Sequence, residues 1–300
     1  MHEWAAEVAV DEPLARRLIG AQFPALELRS IRLLGQGWDT TVWLADDQWV
    51  FRFPRREKVI GGLRNEIAHL PQLASLLPLP IPVPTYLGEP SSDYRWPFYG
   101  APFLPGRELA EAGLDDRGRG ALARPLGEFL RALHGTRLDA DLPVDPVGRA
   151  DMTLRVPKTR DCLAELEHLG LWRAPRRAHE VIEAAAELGP AEPTCLVHGD
   201  LHLRHLLVDQ GGGAAAVIDW IDLSYNSPAV DLVLFWSLLP PDGRVEFREA
   251  YGSITDDQLL CARIFALFLC GALALYGHHE GLPGLKREAL RGLDRTIGAS

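Results

Sequence analysis

The hydrophobic pattern of this chain changes character at Pro105-Gly106, and that change limits the architectures open to it more than any other feature. Before it, β-branched and aromatic residues fall in short strand-like stretches, and after it apolar residues recur mostly at helical spacing. The expectation is an α+β protein with a small antiparallel β-sheet lobe over residues 1–103 and a mainly helical lobe over residues 104–300.

The details follow from local chemistry. A short amphipathic helix is predicted over 11–22, then strands over 28–34, 40–45 and 49–53. Gly35-Gln36-Gly37 and Asp46-Asp47-Gln48 separate these strands, which reads as an antiparallel meander. Leucines and Ile67 at helical spacing predict a helix from Glu57 to about Leu77, against the breakers Gly61-Gly62 and Pro71. Pro78, Pro80, Pro82 and Pro84 force an extended path into a fourth strand near 83–88, and 96–104 reads as a fifth. In the second half, helices are predicted near 115–135, 150–170, 174–188, 228–239, 244–251, 256–278 and 284–297. A strand-rich island interrupts them at 195–221, with Gly211-Gly212-Gly213 as a hairpin turn.

Composition excludes several classes. With 300 residues, 47% hydrophobic and 24% charged, the chain is globular and long enough for two domains or one bilobal one. A formal net charge of −10 argues against nucleic-acid binding, which asks for a basic stripe. Cys162, Cys195, Cys261 and Cys270 form no CxxC pair and read as free thiols. The N-terminal stretch lacks the basic-then-apolar order of a signal peptide. The most apolar run, Ile264 to Tyr276, falls short of the roughly 20 residues a bilayer requires and reads as a core helix. The expectation is a soluble, cytoplasmic protein with no membrane partner.

The densest polar cluster is His198-Gly199-Asp200-Leu201-His202-Leu203-Arg204-His205, followed after the glycine turn by Ile218-Asp219-Trp220. Asp200 falls in the loop before one short apolar strand and Asp219 at the end of another. Carboxylates so arranged can hold a divalent cation and orient a hydroxyl, which is most of what phosphoryl transfer demands. A zinc site from His198, His202 and His205 is disfavoured, because Gly199-Asp200 stands where a zincin carries glutamate on a continuous helix. Gly35-Gln36-Gly37 is not a dinucleotide fingerprint, since Thr40 stands at the third glycine position and a strand follows. The Arg55-Arg56 and Lys58 run reads as a solvated face, and His202 as a loop or substrate-side residue.

His198-Gly199-Asp200 with His205, together with Ile218-Asp219-Trp220, resembles the catalytic loop and metal segment of aminoglycoside phosphotransferases, a family that includes the macrolide phosphotransferases. The resemblance takes in the Gly35–Gly37 loop, Val50–Pro54, Glu66, the stretch 99–106 and Asp231 after Asn226-Ser227-Pro228. It implies a protein-kinase-like bilobal fold with nucleotide in the cleft, and Mg2+-dependent transfer of the γ-phosphoryl of ATP or GTP to a small-molecule hydroxyl. By the same resemblance Asp200 is the catalytic aspartate, His205 and Asp219 hold the metal, and His198 and Asp231 support the loop. Gly35, Gly37, Arg52, Glu66, Ala101 and Phe103 are assigned to the nucleotide, Arg52 with Glu66 as its partner and Ala101 and Phe103 through backbone groups facing the purine. His205 replaces the commoner asparagine, a feature shared with macrolide phosphotransferases, and Arg52 replaces lysine while keeping the charge. The implied acceptor is an antibiotic, macrolide or aminoglycoside. A metabolite kinase of the same fold and a non-catalytic nucleotide sensor are the competing readings.

Overall fold

The computed structural model describes residues 7–37 and 39–298. Residues 1–6, part of the stretch read for a signal peptide, lie outside the described residues. The chain divides into two compact units: one runs up to Ser75 and includes Pro80–Leu104, and the other comprises Leu76–Leu79 and the chain from Pro105 on.

The first unit opens with α1 (Glu12–Gln22), which starts where the Asp11 carboxylate accepts the Leu14 amide at 2.9 Å. Strands β1 (Ile31–Gln36), β2 (Thr40–Ala45), β3 (Trp49–Pro54), β4 (Tyr86–Gly88) and β5 (Phe98–Pro102) form one antiparallel sheet in the order β1-β2-β3-β5-β4. The β2–β3 hairpin turns on Asp46 and Asp47, both at positive φ, and the Asp46 carboxylate also takes the Arg29 and Ser30 amides. Phe51, Phe53, Tyr94 and Phe98 fill the core beneath it, with the Phe53 and Phe98 rings stacked 4.5 Å apart.

The helix predicted over 57–77 is shorter. Glu57–Val59 form a 3-10 turn and α2 spans Ile60–Leu73, with Pro71 tolerated near its end. The fourth and fifth strands are likewise trimmed, because prolines at 82, 84 and 97 lack the amide a ladder needs.

The second unit holds β6 (Arg107–Glu108), α3 (Leu109–Ala112), α4 (Asp116–Gly120), α5 (Ala123–Gly135), α6 (Met152–His168) and α7 (Arg176–Ala186). Then come β7 (Cys195–Val197), β8 (Leu206–Val208), β9 (Ala214–Val217), β10 (Ser224–Asn226), α8 (Val233–Ser237), α9 (Pro241–Tyr251), α10 (Asp256–His279) and α11 (Pro283–Gly298). The strands make two small antiparallel sheets, β6-β8-β9 and β10-β7. The segment predicted as one helix over 115–135 breaks into α4 and α5, and 228–239 becomes a 3-10 turn followed by α8. Strands β6 and β10 were not foreseen.

The apolar run at 264–276 belongs to a longer helix than its own length suggested. α10 has 24 residues and, by length and composition, could cross a membrane. Within this unit it packs against α6, α8 and α11 instead, with Phe265, Ala266 and Leu269 in a core cluster beside Val230 and Val233. Its N-terminus is fixed by a reciprocal pair in which Thr255 Oγ1 accepts the Gln258 amide and Gln258 Oε1 accepts the Thr255 amide.

Candidate active site

Strand β7 delivers the chain into a turn that only glycine allows. Gly199 has φ of +91°, and a Cβ there would stand 2.3 Å from the Asp222 carbonyl oxygen. The buried Asp231 carboxylate follows the 3-10 turn after β10 and accepts the amides of His198 at 2.7 Å and Gly199 at 3.0 Å. His134 Nε2 on α5 reaches the same carboxylate at 3.2 Å, and its Nδ1 lies 2.8 Å from the Tyr251 hydroxyl on α9.

His198 braces the loop from within. Its Nδ1 accepts the Asp200 amide at 3.2 Å, so its Nε2 carries the hydrogen donated to the Ile218 carbonyl at 3.0 Å. Burial pushes its pKa down, and the neutral ring satisfies both bonds.

Asp200 and Asp219 emerge on either side of His205. His205 Nδ1 donates to the Asp200 carbonyl at 2.8 Å, which leaves a lone pair on Nε2, 3.4 Å from Asp219 Oδ2. Burial, then the neighbouring His202, holds the His205 pKa below its ordinary value, so the imidazole is neutral and able to ligate. Asp219 has φ of +67°, a left-handed conformation that aspartate tolerates better than most residues. His202 lies in the loop and is buried: its ring stacks on His205 with centroids 3.8 Å apart, and its Nε2 lies 3.5 Å from Asp200 Oδ2. Burial alone would raise the Asp200 pKa, but His202, Arg149 and His205 together outweigh it and hold the carboxyl well below the usual carboxylate range.

A divalent cation fits between His205 and Asp219. Two donors on one octahedral ion at about 2.1 Å each lie about 3 Å apart, close to the spacing of Nε2 and Oδ2. Asp200, His202 and His205 also each present a ligand atom, all within 4.8 Å of one another. In that group, however, His205 Nδ1 is committed to the Asp200 carbonyl, and His202 Nδ1 accepts the Arg204 amide at 3.2 Å, which puts a hydrogen on Nε2. His198 uses both ring nitrogens inside the loop and takes no part, so the three-histidine zinc set does not assemble.

In the first unit, Gly35 and Gly37 flank the end of β1. Gly37 donates to the Thr40 carbonyl at 3.0 Å, and the Arg55 guanidinium donates to the Gly37 carbonyl. Arg56 is buried and paired with Asp39 through Nε at 2.9 Å. Arg55 and Arg56 therefore clamp the glycine loop, which corrects their reading as a solvated face. Arg52 on β3 and Glu66 on α2 are buried, with Nη2 3.7 Å from Oε1. The Phe103 amide donates to the Gln48 carbonyl at 2.7 Å, and Ala101 is registered with Val50 of β3, while Gly100, just before it, accepts from Thr85 on the opposite edge. The Phe103 amide is thereby removed from the groups able to meet a purine.

Several residues of the cluster carry no local motif. Arg149, on the loop between α5 and α6, lies 3.7 Å from Asp200 Oδ1 and 3.1 Å from Asp222 Oδ2. His134 on α5 reaches Asp231, and Tyr251 on α9 holds His134 in turn. None of them belongs to a recognisable motif, and only folding brings them together.

Residues 30–259 match the phosphotransferase enzyme family. The fold is similar to that of the aminoglycoside phosphotransferase APH(2")-IIIa solved with GDP and kanamycin, with TM-score 0.69 and 23% identity over 95% of this chain and 98% of that one. It is also similar to the macrolide 2'-phosphotransferase MphH of Brachybacterium faecium, with TM-score 0.58 and 23% identity over 92% of this chain and 98% of that one. A 56-residue stretch is 36% identical to the uncharacterised protein YcbJ of Bacillus subtilis (strain 168), which amounts to 19% of this chain and 18% of that protein.

Proposed function

Because this chain belongs to the phosphotransferase enzyme family, we propose that it moves the γ-phosphoryl group of ATP or GTP to a hydroxyl of a small molecule, an antibiotic of the macrolide or aminoglycoside type. The observation that carries this reading is the convergence of Asp200, His205 and Asp219 on one loop system pinned by Asp231. Asp200 accepts a hydrogen bond from the acceptor hydroxyl and orients its oxygen toward phosphorus. That oxygen forms the new P–O bond as the bond to the β,γ-bridging oxygen breaks, and the hydroxyl proton passes to the Asp200 carboxylate. The low proton affinity of Asp200 makes this transfer late, which suits a loose transition state that asks for positioning more than for a strong base. His205 and Asp219 hold Mg2+, which supplies charge neutralisation to the nucleotide phosphates when bound. Arg52, oriented by Glu66, and the Gly35–Gly37 loop are assigned to those phosphates. By resemblance the purine is assigned to backbone groups at Ala101 and Phe103, of which the Phe103 amide is already taken by the Gln48 carbonyl.

The acceptor class rests on two supports: similar folds carry names of both antibiotic types, and His205 stands at the position that distinguishes macrolide phosphotransferases by resemblance. The test is nucleotide consumption with Mg2+, ATP and GTP in parallel, against macrolides, aminoglycosides and simple amino alcohols. Stimulation by one antibiotic class is expected, with Asp200→Asn lowering kcat by about 1000-fold and leaving nucleotide affinity within about twofold. Turnover confined to the amino alcohols would replace the antibiotic assignment by a metabolite kinase. Asp200→Asn with near wild-type kcat would refute the role given to Asp200.

A further inference from the structure

Arg149 lies outside every motif in the chain, yet its guanidinium joins the catalytic loop. Nη1 donates to Asp222 Oδ1 at 3.2 Å, Nη2 stands 3.1 Å from Asp222 Oδ2, and the same Nη2 is 3.7 Å from Asp200 Oδ1. The guanidinium thus grips Asp222 with two nitrogens and turns one of them to Asp200 as well, an arrangement open to a planar fork and closed to a single ammonium. Both ends of this contact are anchored. The Arg149 and Ala150 amides bond the Asp145 carboxylate at 2.7 and 3.2 Å, and Asn226 Nδ2 on β10 donates to the same carboxylate at 2.9 Å. Asp145 in turn donates its amide to the Tyr225 carbonyl at 3.0 Å. At the other end, the carbonyl of Asp222 packs where Gly199 has no side chain.

Asp200 Oδ1 therefore faces Arg149 while Oδ2 faces His202 Nε2 at 3.5 Å. These two groups bracket the carboxylate at ion-pair distance, one on each oxygen, and leave lone pairs on both for an incoming hydroxyl. Resting on the reading that Asp200 receives the acceptor hydroxyl, we propose that Arg149, seated on Asp222, is a positioning residue that fixes the orientation of Asp200 for phosphoryl transfer. It acts through Asp200 and Asp222, without contact to the nucleotide.

Misplacement of a reacting group by an ångström costs on the order of 100-fold, so Arg149→Met is expected to lower kcat by about that factor with the nucleotide KM within about twofold. Arg149→Lys restores the charge without the fork and recovers about a tenth of the wild-type rate. Asp222→Asn, which keeps the volume of the buried group, gives a smaller loss, and adding it to Arg149→Met costs nothing further because both act through one contact. A folded Arg149→Met protein with kcat within threefold of wild type overturns the proposal. So does a parallel rise in nucleotide KM, which marks general disruption. If wild-type protein shows no acceptor-dependent turnover, the functional reading itself fails, and crystal structures of wild type, Arg149→Lys and Asp222→Asn still decide the present point. A rotated Asp200 carboxylate in the variants upholds it, and an unmoved one refutes it.

Discussion

Gly199 in the second unit and Gly35 in the first both sit beside residues assigned to the reaction, and their surroundings are opposite. An added Cβ at Gly199 would collide with the Asp222 carbonyl at 2.3 Å, whereas at Gly35 no atom of the described residues lies within 4 Å. The turn at Gly199 is demanded by its own fold: β7 must bend there to bring the His198 and Gly199 amides onto Asp231. The loop at Gly35 and Gly37 is held from outside its glycines, by Arg55 on the Gly37 carbonyl and by Arg56 on Asp39. One loop is built around carboxylates and imidazoles, the other around guanidinium groups. At Gly35 the described residues leave room for a side chain, and the β1–β2 register shifts there, which agrees with a loop shaped for a ligand to approach closely.

This contrast can be broken most severely at Gly199. Gly199→Ala combines a backbone clash with an unfavourable φ, and is expected to destabilise the protein by about 3 kcal/mol and to reduce kcat by about 100-fold or more. Denaturant melts and single-turnover rates measure the two effects. A Gly199→Ala protein of wild-type stability would show that the turn relaxes at little cost.

Acidification sharpens the difference between the loops. His198 has a folded-state pKa below that of the unfolded chain, where histidine titrates near about 6.5. Between those two values the unfolded state binds the extra proton, so stability is full above the unfolded pKa and falls as pH drops below it. Each histidine held neutral this way contributes a slope of at most roughly 1.4 kcal/mol per pH unit in that window. The loop around Gly35 and Gly37 contains no histidine. Hydrogen exchange at pH 7 and pH 5 is expected to show loss of protection at the His198 and Gly199 amides, with the Gly37 amide unchanged relative to the intrinsic rate. Equal loss at both loops would remove the distinction.

The smallest stability effect is expected at Gly35. Gly35→Ala leaves stability within about 0.5 kcal/mol of wild type, because the space is open, and raises the nucleotide KM by several-fold, about 1 kcal/mol in binding. An unchanged KM would take Gly35 out of the nucleotide assignment.

The candidate segment was legible because its parts are local: His198, Asp200 and His205 fall within eight residues, and Asp219 follows one hairpin later. The sequence also carried the division into a sheet-rich and a helical part, since period-two and period-3.6 patterns survive in any context. What it missed was distant. Arg149 meets the loop from the α5–α6 connection, and His134, backed by Tyr251 of another helix, meets Asp231, with no spacing that could announce either. Arg55 and Arg56 look like a surface run until Asp39 and the Gly37 carbonyl are seen to receive them. The overlong helix at 57–77 and the single helix at 115–135 failed where breakers and a unit boundary cut periodic patterns short.

The apolar helix α10 leaves the ribosome before α11, the partner that covers one of its faces. Until α11 follows, a 24-residue segment of mean hydropathy 2.2 over its most apolar window is only partly sheltered, by α6 and α8. A chain interrupted near Gly281 would keep the catalytic loop whole and still carry that uncovered face, and so would be a target for chaperones and proteases rather than a smaller working enzyme.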